Sequence, residues 1–270
     1  MIKHVLRKLA TIWPLRILYR TTLFAPYLLP QLLRGMAWSF KRTETSNFYY
    51  DLTERNRREL AHMVALVSKI SPSEALKYID EVRSDSQLSS HIRSTLSKDN
   101  SMRDSSMLLG RRIGWYAFVR ALKPRLVIET GVHQGIGAVT IIRALEKNSE
   151  EGSPGKYLGT DIDPQAGVLV TGKFLETGRV LFGDSIATLR SVSDEIDLFV
   201  NDSDHSAEYE AEEYEVVQAR LSKSAVILGD NSHATSSLME FSAKQQRRFL
   251  LFREDPKDHW YPGAGIGVSF

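Results

Sequence analysis

The sequence predicts an α/β protein built on a doubly wound, mainly parallel sheet and preceded by a helical N-terminal region. Three observations carry that reading. From Gly114 onward short apolar runs alternate with segments of helical periodicity, the pattern of strands joined by crossover helices and covered on both faces. The strand-like runs close on polar or acidic side chains: Glu129, Asp161, Asp184, Asn201 with Asp202, and Asp230. In an open sheet of this kind the ligand crevice lies at the carboxyl ends of the strands, so these side chains converge on one edge.

Composition bounds the remaining possibilities. With 270 residues, 42% of them hydrophobic, the chain can bury a continuous core and is neither disordered nor fibrous. It has no cysteine, which excludes disulfides, thiolate metal sites, iron–sulfur clusters and a cysteine nucleophile, and makes a cytoplasmic location the expectation. The net charge of +2 conceals an asymmetry: residues 1–43 hold eight Lys or Arg and no acid, and the remainder holds 27 basic and 33 acidic residues, a net of −6. A net acidic domain without a basic stripe argues against a nucleic-acid partner.

The chain reads as three regions: 1–43, 44–109 and 110–270. In the first, Ile2, Val5, Leu6, Leu9 and Trp13 recur at helical spacing while Lys3, His4, Arg7 and Lys8 fill the other side, as in a basic amphipathic helix. Thr21 to Leu33 is strongly apolar but is flanked by Arg20 and Arg34 and interrupted by Pro26 and Pro30, so it is expected to lie on a membrane surface rather than cross it. The protein would then be peripheral on the inner face of an anionic membrane. Packing on its own domain or on a second subunit, in a homo-oligomer, is the other use of such a segment. No small-residue cleavage site marks it as a secretory signal.

In the second region, Leu60, Met63, Val64, Leu66 and Val67, then Ala75, Leu76, Ile79 and Val82, carry helical periodicity, with Ser71-Pro72-Ser73-Glu74 as a cap-and-start signal between them. Two or three helices are expected here. Ser84 to Arg103, rich in Ser, Asp and Lys, reads as a surface connection, and the Phe48-Tyr49-Tyr50 cluster as packing.

In the third region the run Leu126-Val127-Ile128 leads into Glu129-Thr130-Gly131-Val132-His133-Gln134-Gly135-Ile136-Gly137, a strand end, a glycine-bearing turn and a helix start. Glycines let the backbone approach a ligand, and the helix start offers free amide donors. The spacing Gly-x-x-x-Gly-x-Gly disfavours a dinucleotide pyrophosphate. In Gly159-Thr160-Asp161-Ile162-Asp163-Pro164 a carboxylate ends the next strand, placed to accept both hydroxyl hydrogens of a ribose, and Gly183-Asp184-Ser185 supplies a third polar strand end.

From about Gly110 to Phe270 the chain resembles a class I S-adenosylmethionine-dependent methyltransferase. The resemblance implies a Rossmann-like seven-stranded sheet whose last strand is antiparallel, closed by Arg248–Arg253 and Gly265–Phe270. It implies donor contacts from Glu129, Gly131, Gly135 and Ile136 of the first motif, from Asp161 and Asp163 at the ribose, and from Asp184 and Ser185 beside the adenine.

A finer resemblance lies in Asp197-Leu-Phe-Val-Asn201-Asp202-Ser203-Asp204-His205 and in Gly229-Asp230-Asn231. These are similar to the metal-dependent O-methyltransferases of the catechol type and of the macrolide-sugar type related to cephalosporin hydroxylase. That likeness implies Mg²⁺ or another divalent cation on Asp202, Asp230 and Asn231, with His205 as the base. Where relatives often carry Asp-Asp-Gly-Ser-His, this chain has Asn-Asp-Ser-Asp-His, so either Asp202 or Asp204 is the ligand, with Asp202 favoured. The acceptor implied is a hydroxyl on a sugar, a glycolipid or another diol-bearing small molecule. A nicotinamide-dependent oxidoreductase and a non-catalytic, membrane-recruited binding module are the alternatives. Glu208, Glu210, Glu212, Glu213 and Glu215 are expected to form a solvated helix face, His233 and His259 to be ordinary surface residues on loops, and Trp260-Tyr261-Pro262-Gly263 to turn between the last two strands.

Overall fold

The computed structural model describes residues 12–41, 50–96 and 108–270. The expected amphipathic start at Ile2 to Leu9, and Phe48 and Tyr49, lie outside them. The chain divides into two units, Met1–Arg42 with Asp258–Pro262, and Thr43–Lys257 with Gly263–Phe270.

The first unit is built on one helix, α1 (Trp13–Ser39), which runs through both Pro26 and Pro30. Each proline removes one backbone donor, and an interruption was therefore expected. The prolines are spaced by one turn, so both losses fall on the same side, while Thr21 and Thr22 donate their hydroxyls to the carbonyls of Ile17 and Tyr19 at 2.9 and 2.7 Å. The rest of the ladder continues past the two gaps. Within this unit Trp38 packs on Trp260 with ring centroids 5.3 Å apart, and the Gln31 amide donates to the Trp260 carbonyl at 3.1 Å. Among the described residues no helix is long and apolar enough to cross a membrane.

The second unit begins with three helices: α2 (Glu54–Ser68), α3 (Pro72–Arg83) and α4 (Ser86–Leu96). Thr53 and Ser71 cap the first two by accepting from the amides of Asn56 and Glu74, and Pro72 occupies the first turn of α3, where its missing donor costs nothing. Helix α4 replaces the surface connection expected from Ser84 onward. Leu88, Ile92 and Leu96 are spaced one turn apart and buried, and that stripe outweighs the polar residues between them. Helices α2 and α3 pack on α5 (Arg112–Leu122), which leads into the sheet.

The sheet has seven strands: β1 (Leu126–Thr130), β2 (Lys156–Asp161), β3 (Gly178–Phe182), β4 (Ile196–Asn201), β5 (Leu221–Asp230), β6 (Phe249–Arg253) and β7 (Gly265–Ser269). The crossovers between them contain α6 (Ile136–Glu150), α7 (Phe174–Thr177), α8 (Ser185–Ser191), α9 (Ala207–Gln218) and α10 (Ser237–Lys244). The strand order is β3-β2-β1-β4-β5-β7-β6, and β7 is antiparallel to both of its neighbours. The doubly wound sheet read from the sequence is therefore observed, including the antiparallel last strand. Register aligns the strand ends: Thr130 lies opposite both Thr160 and Asn201, and Asn201 opposite Gly229. The next residues, Gly131, Asp161, Asp202 and Asp230, consequently meet along one edge. Beneath them Ile128, Phe199, Ile227 and Tyr214 form the buried centre.

Candidate active site

A cavity of about 660 Å³ opens at this edge, among the ends of β1, β2, β4 and β5. Of the residues singled out in the sequence, Gly131, Asp161, Asp163, Asp184, Ser185, Asp202, His205 and Asn231 line it. Glu129, Gly135, Ile136 and Asp230 stand behind its walls.

On one side, Gly131 has φ +81°, and a Cβ there would lie 1.9 Å from the carbonyl oxygen of Asp202; only glycine fits so close a contact between the β1 and β4 loops. Asp161 accepts from the amides of His133 at 2.7 Å and Asp163 at 2.9 Å. These bonds fix the plane of its carboxylate and leave lone pairs directed to the cavity. Asp184 caps α8 by accepting from the Ala187 amide at 2.7 Å, and it accepts from the Tyr209 hydroxyl at 2.9 Å. The Arg112 side chain also reaches the wall, and its Nε is buried with no partner among the described residues.

Glu129 is enclosed beneath Gly137, where a Cβ would come within 2.5 Å of its carboxyl oxygen, and it accepts from the Tyr157 hydroxyl at 2.5 Å. Burial pushes it up to about 8, against the smaller opposing pull of that hydrogen bond and of Arg112.

The acidic residues after His205 depart from expectation. Glu208, Glu212 and Glu215 are exposed, but Glu210 and Glu213 are buried. Glu213 accepts from Thr130 Oγ1 at 3.0 Å, from Ser203 Oγ at 2.9 Å, and from Ser185 and Asn201. A carboxylate can be buried where this many donors replace water. It binds together the ends of β1 and β4 and the start of α8. Glu210 accepts from Thr235 and faces His205.

On the other side, one oxygen or nitrogen from each of Asp202, His205 and Asp230 lies within 4.8 Å of the others. Asp204 is exposed and accepts from the Ser206 amide at 2.7 Å as α9 begins, so it is Asp202 that joins the cluster. His205 Nε2 is 3.1 Å from Asn231 Nδ2 and 3.8 Å from Asp202, and Nδ1 is 3.7 Å from Glu210. The neighbouring Glu210 carboxylate raises the affinity of His205 for its proton, against its partial burial.

Asp230 is wholly buried and accepts from Nε and Nη2 along one edge of the Arg111 guanidinium, whose Nη1 lies 3.5 Å from Glu254. Burial alone would raise Asp230, but Arg111 outweighs it and holds the group below the usual carboxylate range. Asp202 is driven well above that range, first by burial and then by the neighbouring Asp230. The two adjacent carboxyls and the Asn231 amide offer oxygen donors of the kind a hard divalent cation takes. The raised Asp202 reflects burial and the adjacent Asp230, which the pull of Arg111 does not offset.

Sequence reasoning singled out neither Arg111 and Arg112 nor the burial of Glu210 and Glu213. The arginines precede the first strand at the start of an apolar helix, and no strand-end pattern marks them.

The strand order, with its antiparallel β7, is a fold that the chain shares with solved methyltransferase structures. Residues 128–232 match a family described as a methyltransferase domain. Among solved structures the chain is similar to an O-methyltransferase from Bacillus cereus in complex with S-adenosylhomocysteine, with TM-score 0.54 and 15% identity over 68% of this chain and 90% of that one. It is also similar to the O-methyltransferase TomG from Streptomyces achromogenes, involved in tomaymycin synthesis, in complex with S-adenosylmethionine, with TM-score 0.50 and 12% identity over 69% and 89% of the two chains. No curated protein matches the sequence.

Proposed function

We propose that this protein is an O-methyltransferase, transferring the methyl group of S-adenosylmethionine to a hydroxyl of a sugar-like or other diol-bearing acceptor, with a divalent cation, Mg²⁺ foremost, on Asp202, Asp230 and Asn231. The observation that carries this reading is that Asp161, Asp202, His205 and Asn231 line one cavity from separate strand ends, with Asp230 buried against the Asp202–His205 pair. The oriented Asp161 carboxylate accepts the two ribose hydroxyls, and the Arg112 guanidinium on the cavity wall offers its charge to the donor's carboxylate. His205 takes the proton of the acceptor hydroxyl, and Glu210 behind it supports the charged imidazolium. The acceptor oxygen then forms a bond to the methyl carbon as the carbon–sulfur bond breaks, and S-adenosylhomocysteine leaves. Asp202, Asp230 and Asn231 would hold a divalent cation, which would lower the pKa of the acceptor hydroxyl.

The test is turnover of S-adenosylmethionine to S-adenosylhomocysteine with a panel of catechols and vicinal diol sugars, with Mg²⁺ and with chelator. Chelation is expected to stop turnover and leave donor binding nearly intact. Turnover that survives exhaustive chelation would remove the metal from the mechanism, and methylation confined to nitrogen acceptors would remove the oxygen chemistry.

A further inference from the structure

We propose that α1 lies along an anionic lipid surface, with its leucine side in the acyl boundary and its arginines at the head groups. The helix has apolar residues in excess of what its own unit covers: Leu18 is 62% exposed, Leu29 52% and Met36 55%. At the helical period these three fall on one side of α1, and Arg16, Arg20 and Arg34 fall on the opposite side. Long cationic side chains opposite an apolar face can bend back to the head-group level while the face itself is buried.

Charge selects the occupant. Residues 1–43 hold eight Lys or Arg and no acid, so two copies of this segment would repel one another, whereas an anionic bilayer attracts it. Length and composition select the orientation, because α1 is not apolar enough to span. The prolines act in the same sense. Pro26 and Pro30 leave the carbonyls of Thr22 and Pro26 without their usual helical donors, tolerable beside water and head groups and costly in the hydrocarbon interior. Trp260 and its neighbours His259 and Tyr261 belong to the same unit as α1, which adds aromatic side chains of the kind that favour the membrane–water boundary.

The test is co-sedimentation of the full-length protein with vesicles of phosphatidylcholine alone and of phosphatidylcholine with phosphatidylglycerol, together with its mass by light scattering. Binding to the anionic vesicles is expected, falling as salt is raised. The double variant Arg20→Glu, Arg34→Glu is expected to weaken it about tenfold or more, and Leu18→Asp, Leu29→Asp to abolish it. Both variants should keep the wild-type affinity for S-adenosylmethionine, which separates this inference from the reading of the active site. Absence of binding by the wild type, binding indifferent to either variant, or a dimer that Leu18→Asp, Leu29→Asp dissociates without any vesicle association would each overturn it.

Discussion

Arg111 engages both oxygens of Asp230 with two guanidinium nitrogens, while its third nitrogen stands 3.5 Å from Glu254. A single buried cation thus serves two buried carboxylates, with Asp202 beside them as a third acid that Arg111 does not neutralise. In Arg111→Met these acids lose their compensation, and unfolding in urea is expected to show a loss of about 3–5 kcal/mol. Mg²⁺ should restore part of that loss in the variant, since it would supply charge at the same carboxylates. A melting curve of the variant that ignores Mg²⁺ would count against the cation site.

Asp161→Ala should weaken S-adenosylmethionine binding by about 1.5–3 kcal/mol, the scale of lost charge-assisted hydrogen bonds. Calorimetry reads this directly. Unchanged affinity would show that the ribose is held elsewhere.

Glu129 links stability to pH. Burial lifts its folded value to about 8, from an ordinary value of 4.5, so between these limits the unfolded chain has released a proton that the folded chain keeps. Its contribution is therefore full below the ordinary carboxylate range and is lost as pH rises toward about 8. In Glu129→Gln that decline should vanish, leaving the melting temperature flatter between pH 5 and 8 than in the wild type. Parallel profiles for the two proteins would refute the assignment.

His205 gains proton affinity from Glu210, and only its neutral form can act as a base. The acidic limb of the kcat profile should accordingly fall through a value above the ordinary histidine range as pH is lowered. His205→Ala is expected to slow the chemical step by about 10²–10⁴-fold, the usual weight of a general base. An alanine variant with ordinary turnover in single-turnover measurements would exclude the imidazole.

Much of the architecture was legible because it is written in apolar runs. Each strand of the parallel set is a short apolar segment ending in a polar residue, and burial on both faces demands such a segment. Asp161, Asp202, His205 and Asn231 were legible for the same reason, lying at or just beyond strand ends. Glu210 and Glu213 were not, because an acidic run on a helix has the composition of a solvated face; what buries them is donors from other segments, Thr235 for Glu210 and Thr130, Ser185, Asn201 and Ser203 for Glu213, a pairing that no spacing announces. Arg111 was hidden likewise, its partners Asp230 and Glu254 being more than a hundred residues away. Helix α4 escaped notice because three buried residues in eleven are a thin stripe against a polar background.

Gly131 brings the turn after β1 into backbone contact with the segment that begins at Asp202. On the proposed function, donor binding and acceptor chemistry would share this joint, which has no intervening side chain whose rotamers could absorb a displacement. A library of substitutions should therefore contain few variants near this joint that spoil donor affinity alone or turnover alone. The two properties are mechanically one trait there, and selection acting on either would reshape both.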